Sequence, residues 1–141
     1  MKMSYEQIVK EIVEKIYKRF LKEKGIYGSD EGKDSIRRLR NYKRIFIFMP
    51  LNFFRWDTSI QGHMYWFNLS VDWCIFLFDT AKNLENSEER TYLMKFSYSY
   101  LDSLLENYLP SDLMVMYKNS LTYEHVKLKK MDMESELTHI N

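Results

Sequence analysis

Between Tyr5 and Leu21, apolar residues fall at Ile8, Val9, Ile12, Val13, Ile16, Tyr17, Phe20 and Leu21, with Lys, Glu and Arg between them. Recurrence in steps of four places one apolar stripe along a helix and leaves the charges on the other side. Ser4 followed by Gln7 makes a capping box at its start, and Gly25 is a natural stop. Residues 25–34 hold three of the four glycines and read as the one substantial inner loop. A second helix is expected to begin at Asp34 or Ser35 and to carry Ile36, Leu39, Tyr42 and Phe46, with a strongly basic outer side. The run from Ile45 to Met49 suits a strand as well as a helix, because it is β-branched and aromatic. Pro50 ends it either way. Residues 51–60 read as an irregular connection or one short helix.

From Ile60 to Asn83 the apolar residues cover most of a helical circumference, which predicts one helix, or two in succession, buried on nearly all sides. Asn86 or Ser87 then caps an amphipathic helix that buries Leu93, Phe96, Tyr100, Leu101, Leu104, Leu105 and Tyr108. Pro110 closes it, and a short helix through Leu113, Val115, Met116 and Tyr117 follows. Beyond residue 119 the chain turns polar and charged, and reads as a short extra helix or a frayed tail. The expected fold is all-α: a small helical bundle with a buried central hydrophobic helix. Residues 1–118 form a single helical domain, and 119–141 a charged C-terminal helix or flexible tail.

Composition sharpens this picture. Four glycines and two prolines in 141 residues favour long helices over a many-turned β-sandwich. Hydrophobic residues at 45% and charged residues at 29% argue for a folded chain and against disorder. A net charge of +1 supplies no global field to recruit nucleic acid or an acidic membrane. The single cysteine, Cys74, can form no internal disulfide and no cysteine-based metal site, which suits a reducing, cytoplasmic setting. The start of the chain has no apolar signal core. The longest nearly apolar stretch, residues 45–54, is far short of the roughly 20 residues a spanning helix needs. Both features predict a soluble protein without integral membrane insertion.

Catalytic chemistry finds little footing in the sequence. The three histidines are His63, His125 and His139. None has a metal-ligand spacing, apart from a loose His139, Glu136 and Ser135 neighbourhood, so no metal site is expected. Gly25, Gly28 and Gly32 lack the spacing of a phosphate loop, and no nucleophile motif is present. Asp57, Asp72 and Asp79 read as caps or helix-flank carboxylates rather than acid–base groups. Cys74 sits in an apolar run, where a thiol is a packing group. No enzyme activity and no cofactor are expected. The basic residues Lys33, Arg37, Arg38, Arg40, Lys43 and Arg44 would track phosphates if unpaired. A solvated face paired with glutamates of the first helix is the plainer reading. The aromatics Phe53, Phe54, Trp56, Tyr65, Trp66, Phe67 and Trp73 crowd into a short span, and read either as core or as a partly exposed binding surface.

This order of elements resembles the Bcl-2 family of apoptosis regulators, particularly its short, divergent viral members. The opening helix EQIVKEIVEKIYKRFLKEKG resembles that family's amphipathic first helix. The family's central motif has an apolar-Phe pair, a short spacer, then Asn-Trp-Gly-Arg leading into a buried helix. Trp66-Phe67 stands in place of that pair, Asp72 of the Asn and Trp73 of the Trp, ahead of Ile75-Phe76-Leu77-Phe78. Cys74 and Ile75 stand where the family has Gly and Arg, so the charge-assisted bond from that Arg to a ligand Asp would be lost, or drawn from another cation such as Arg55.

The resemblance implies that a pro-apoptotic amphipathic helix docks in a hydrophobic groove, and that its sequestration blocks cell death in a host cytoplasm. Leu39, Phe46, Phe53, Phe54, Arg55, Tyr65, Trp66, Asp72 and Trp73 are the candidate groove residues. A homodimer is compatible with the same aromatic surface. Two other readings stand beside it: a bacterial or phage interaction protein (toxin immunity or anti-defence inhibition), and a helical nucleic-acid binder using the Arg37–Arg44 face.

Overall fold

A computed structural model describes residues 5–41 and 60–140 of the chain. Six α-helices make up nearly all of them: α1 (Tyr5–Glu23), α2 (Asp30–Asn41), α3 (Ile60–Ala81), α4 (Ser87–Asn107), α5 (Ser111–Lys118) and α6 (Leu121–Thr138). There is no strand among the described residues, and the expected all-α class holds. Ser4, the run from Ile45 to Met49 and Asp57 lie outside the described residues. The chain divides into two compact units, residues 1–77 and 78–141, so α3 contributes to both.

In the first unit, α1 buries Val9, Val13, Ile16, Tyr17, Phe20 and Leu21, the stripe its periodicity predicts, while Ile8 and Ile12 are half-buried at its margins. A Schellman motif ends the helix. Gly25 adopts φ 73°, its N–H donates to the Lys22 carbonyl at 3.1 Å, and the Ile26 N–H donates to the Leu21 carbonyl at 3.0 Å.

Helix α2 then begins four residues earlier than the apolar pattern suggested. The Ser29 hydroxyl accepts from the Gly32 N–H at 3.0 Å, the bond of an N-cap, and Asp30 and Glu31 follow in the first turn. Gly32 is buried, and a Cβ there would run into the Ile26 carbonyl. This glycine belongs to a helix because only its bare Cα fits against that loop. The ring of Trp73 on α3 packs edge-on against Tyr17 and tilted against Phe20, with centroids 4.9 and 5.4 Å away.

In the second unit, the Asn86 side chain caps α4 by accepting from the Glu88 and Glu89 N–H groups, each at 3.0 Å. Leu93, Met94, Leu101, Leu104 and Leu105 form its buried face. Helix α6 packs against α4 and α5. The segment that reads in sequence as a short helix or a frayed tail is an 18-residue helix capped by the Ser120 hydroxyl, with Val126 and Met133 buried. Lys130 reaches Asp102 at 2.6 Å, Lys129 reaches Asp79 at 2.8 Å, and the Tyr98 hydroxyl donates to Glu134 at 2.6 Å.

Candidate functional site

Helix α3 is a single helix of 22 residues, and it is not covered all round. Phe67, Ser70, Val71, Trp73, Cys74, Leu77 and Phe78 lie on its buried sides. Gln61, Tyr65, Asn68 and Asp72, spaced at helical intervals, stay open or half-open to solvent. The polar members of that strip explain why it remains wet. Tyr65 is the aromatic exception, 51% exposed, and it stands edge-on to the half-buried Trp66 with ring centroids 5.3 Å apart.

The sequence-predicted groove residues therefore separate into three groups. Leu39 and Trp73 are core residues, 0% and 3% exposed, whose rings and methyls face the interior. Tyr65, Trp66 and Asp72 reach the surface of α3. Phe46, Phe53, Phe54 and Arg55 lie outside the described residues.

A residue that sequence reasoning passed over stands beside this strip. Lys24, at the end of α1, donates to the Asp72 carboxylate at 2.8 Å and lies over the Phe20 ring, 5.7 Å from its centroid. Both partners of this ion pair are well exposed, so it contributes little to stability and leaves the ammonium at hand on the surface. Its only sequence signal is a lysine next to a helix-stopping glycine.

The other candidate groups are occupied by structural partners. Asp34 sits between Arg37 and Arg38, and the hydrogen bond from Arg37 does most to hold its carboxyl below the usual range. Arg40 pairs with Glu14 of α1. Of the six basic residues singled out in sequence, Arg37 and Arg38 thus pair within α2 and Arg40 with α1, while Lys43 and Arg44 lie outside the described residues. Asp79 receives Lys129, and also Lys82 at 3.6 Å. Cys74 is buried, and desolvation pushes its thiol well above the ordinary range.

The loose cluster around His139 lines a surface cleft of about 500 Å³ together with Lys82, Arg90, Met94, Glu136 and Ile140. Its charged groups are all engaged: Lys82 with Glu136 at 3.0 Å, Arg90 with the Leu84 carbonyl at 2.8 Å, and the His139 Nδ1 with the Ser135 carbonyl at 2.6 Å. Among the described residues no group of three or more His, Cys, Asp or Glu is arranged to hold a metal ion. No described helix is long and apolar enough to cross a membrane.

Compared with known proteins, the chain matches no family model, no curated protein and no solved structure.

Proposed function

We propose that this chain is a non-enzymatic protein-binding domain that takes up an amphipathic helix of a partner along the open strip of α3. The observation that carries this reading is Tyr65: a large aromatic left half-exposed within α3 and braced by Trp66. Rigid aromatics of this kind supply most of the binding energy where a helix docks on a surface. Tyr65 and Trp66 are the anchors, and Lys24 and Asp72 provide a charged rim. With Ile75 where the Bcl-2 family carries its arginine, Lys24 offers the cation that an acidic residue of the incoming helix requires. The specific reading is that of a viral Bcl-2-like inhibitor of apoptosis, acting in host cytoplasm on a pro-apoptotic helix.

Fluorescence anisotropy with labelled pro-apoptotic helix peptides tests it. Sub-micromolar binding is expected, weakened about tenfold or more by Tyr65→Lys, a loss near 1.4 kcal/mol or above. Lys24→Glu should weaken peptides that carry the central acid more than peptides in which it is replaced by alanine. Absence of binding by every such peptide, or equal binding by the Tyr65→Lys protein, rules the reading out. Circular dichroism of the variant shows whether the fold is intact.

A further inference from the structure

Helix α6 is apolar on two opposite sides. One side packs into its own unit through Val126 and Met133, with Tyr123, Lys130 and Leu137 half-buried around them. The opposite side carries Leu121, Leu128 and Met131, which are 81%, 60% and 58% exposed. On an α-helix these three lie within one narrow strip, continued by Glu124, Ser135 and Thr138 at the same three- and four-residue spacing. Val115 and Met116 are also exposed on α5, which packs against α6. Apolar side chains aligned in this way, and rimmed by charge, mark an association surface rather than scattered exposure.

We infer that this outer strip of α6 is a homodimer interface, in which two copies of the helix pack antiparallel about a two-fold axis passing level with Lys129 and Lys130. The strip is self-complementary in that arrangement. Leu128 of each copy meets Met131 of the other, Leu121 meets Thr138, and Glu124 meets the small, polar Ser135. The flanking positions match in charge as well, because Lys127 of each copy lies beside Glu134 of the other, and His125 beside Asp132.

A parallel pairing aligns Leu128 with itself but also places Glu124 against Glu124 within the strip, where like charges repel. The antiparallel order removes that repulsion. It is also the isologous contact that closes at two copies. Within one copy, Lys127 makes an exposed pairing with Glu124, at 3.6 Å, and lies over the Tyr123 ring, 5.5 Å from its centroid. Glu134 accepts the Tyr98 hydroxyl on one carboxylate oxygen and has a second oxygen that can accept as well.

Sedimentation equilibrium on the full chain, across micromolar to submillimolar concentrations, tests the inference. A reversible dimer is expected. Leu128→Lys, at an exposed position, should raise the dissociation constant at least tenfold without changing the far-ultraviolet circular dichroism. Lys127→Glu should weaken the dimer, and Lys127→Glu combined with Glu134→Lys should restore it. Spin labels on Thr138→Cys, with the buried Cys74 left unlabelled, should lie about 25 Å apart across the dimer, since 17 residues at 1.5 Å each separate Thr138 from Leu121. A parallel dimer would bring them to about 10 Å. A chain that stays monomeric throughout, a dimer indifferent to Leu128→Lys, or the short label distance would each overturn the inference. None of these outcomes bears on peptide binding at Tyr65.

Discussion

Replacing Gly32 by alanine sets two effects of opposite sign against each other, and the structure says which wins. Alanine is favoured over glycine inside a helix by about 1 kcal/mol. Gly32, however, lies in the first turn of α2 with the Ile26 carbonyl directly in the path of a new Cβ, and the Tyr27 carbonyl oxygen 3.1 Å from it. Both obstacles are backbone, which cannot swing aside as a side chain can.

The Ile26 peptide is also pinned. Its N–H closes the Schellman motif on Leu21 at 3.0 Å, and its carbonyl accepts from the Ser29 N–H at 3.2 Å and the Ser29 hydroxyl at 2.7 Å. Moving the loop far enough to admit a methyl stretches those bonds, each worth about 1 kcal/mol, on top of an overpacking cost of about 1–3 kcal/mol. The net expectation is a loss of about 2 kcal/mol, or roughly 8 °C in midpoint temperature for a chain of this size.

Urea denaturation followed by circular dichroism should show a lower midpoint with an unchanged slope. Gly28→Ala serves as the control, because a Cβ there meets nothing within 4 Å, and it should be neutral or stabilising by about 0.5 kcal/mol. Gly25→Ala should cost about 1 kcal/mol through its φ of 73° rather than through contact. If Gly32→Ala is as stable as the Gly28→Ala protein, the close approach of Gly32 to the Ile26 carbonyl is refuted.

Two further outcomes follow from buried groups. Tyr17 is sealed in the core, so desolvation raises its hydroxyl pKa while a bond with Ser35 acts weakly the other way. An unfolded tyrosine ionises near pH 10 and the buried one holds its proton beyond that, so stability should be level below about pH 10 and fall as pH rises further, by up to about 1.4 kcal/mol per unit from this group. Tyr17→Phe should cost about 1 kcal/mol at neutral pH and flatten the alkaline decline, which pH-dependent urea midpoints would show; an equally steep decline in the variant would refute the assignment. Cys74, buried and with its thiol pushed upward, should react with a disulfide reagent only as fast as the chain unfolds, so that 6 M urea releases a full equivalent of colour and native buffer almost none.

Periodicity located helices wherever one face alone is apolar. The stripe of α1 and the Asn86 cap of α4 can both be read directly from residue order, because local spacing and tertiary burial agree there. The start of α2 could not be read in this way. Gly32 and the polar residues before it look like loop by composition, although Ser29 followed by Asp30 and Glu31 is the local signal of an N-cap; the close approach to the Ile26 carbonyl accounts for the glycine itself. Residue order leaves α6 open between a short helix and a frayed tail for a different physical reason. Its apolar residues divide between two opposite sides, Val126 and Met133 inward and Leu121, Leu128 and Met131 outward, so the two directions cancel and the segment reads as featureless and charged.

The same logic bears on the candidate site. Aromatic density along residues 65–73 says that rings will be buried somewhere, but Trp73 and Tyr65 are equally aromatic and have opposite fates: one is wedged between Tyr17 and Phe20, the other stands half in solvent. What separates them is angular position on α3. Trp73 shares its side of the helix with Leu77 and Ser70, whereas Tyr65 shares its side with Asn68 and Asp72. A partner helix of the kind proposed would meet only the second side. Its affinity should therefore follow substitutions at Tyr65 and Lys24, while substitutions at Leu39 and Trp73 should act through folding and weaken peptide binding only in proportion to the fraction of chain unfolded.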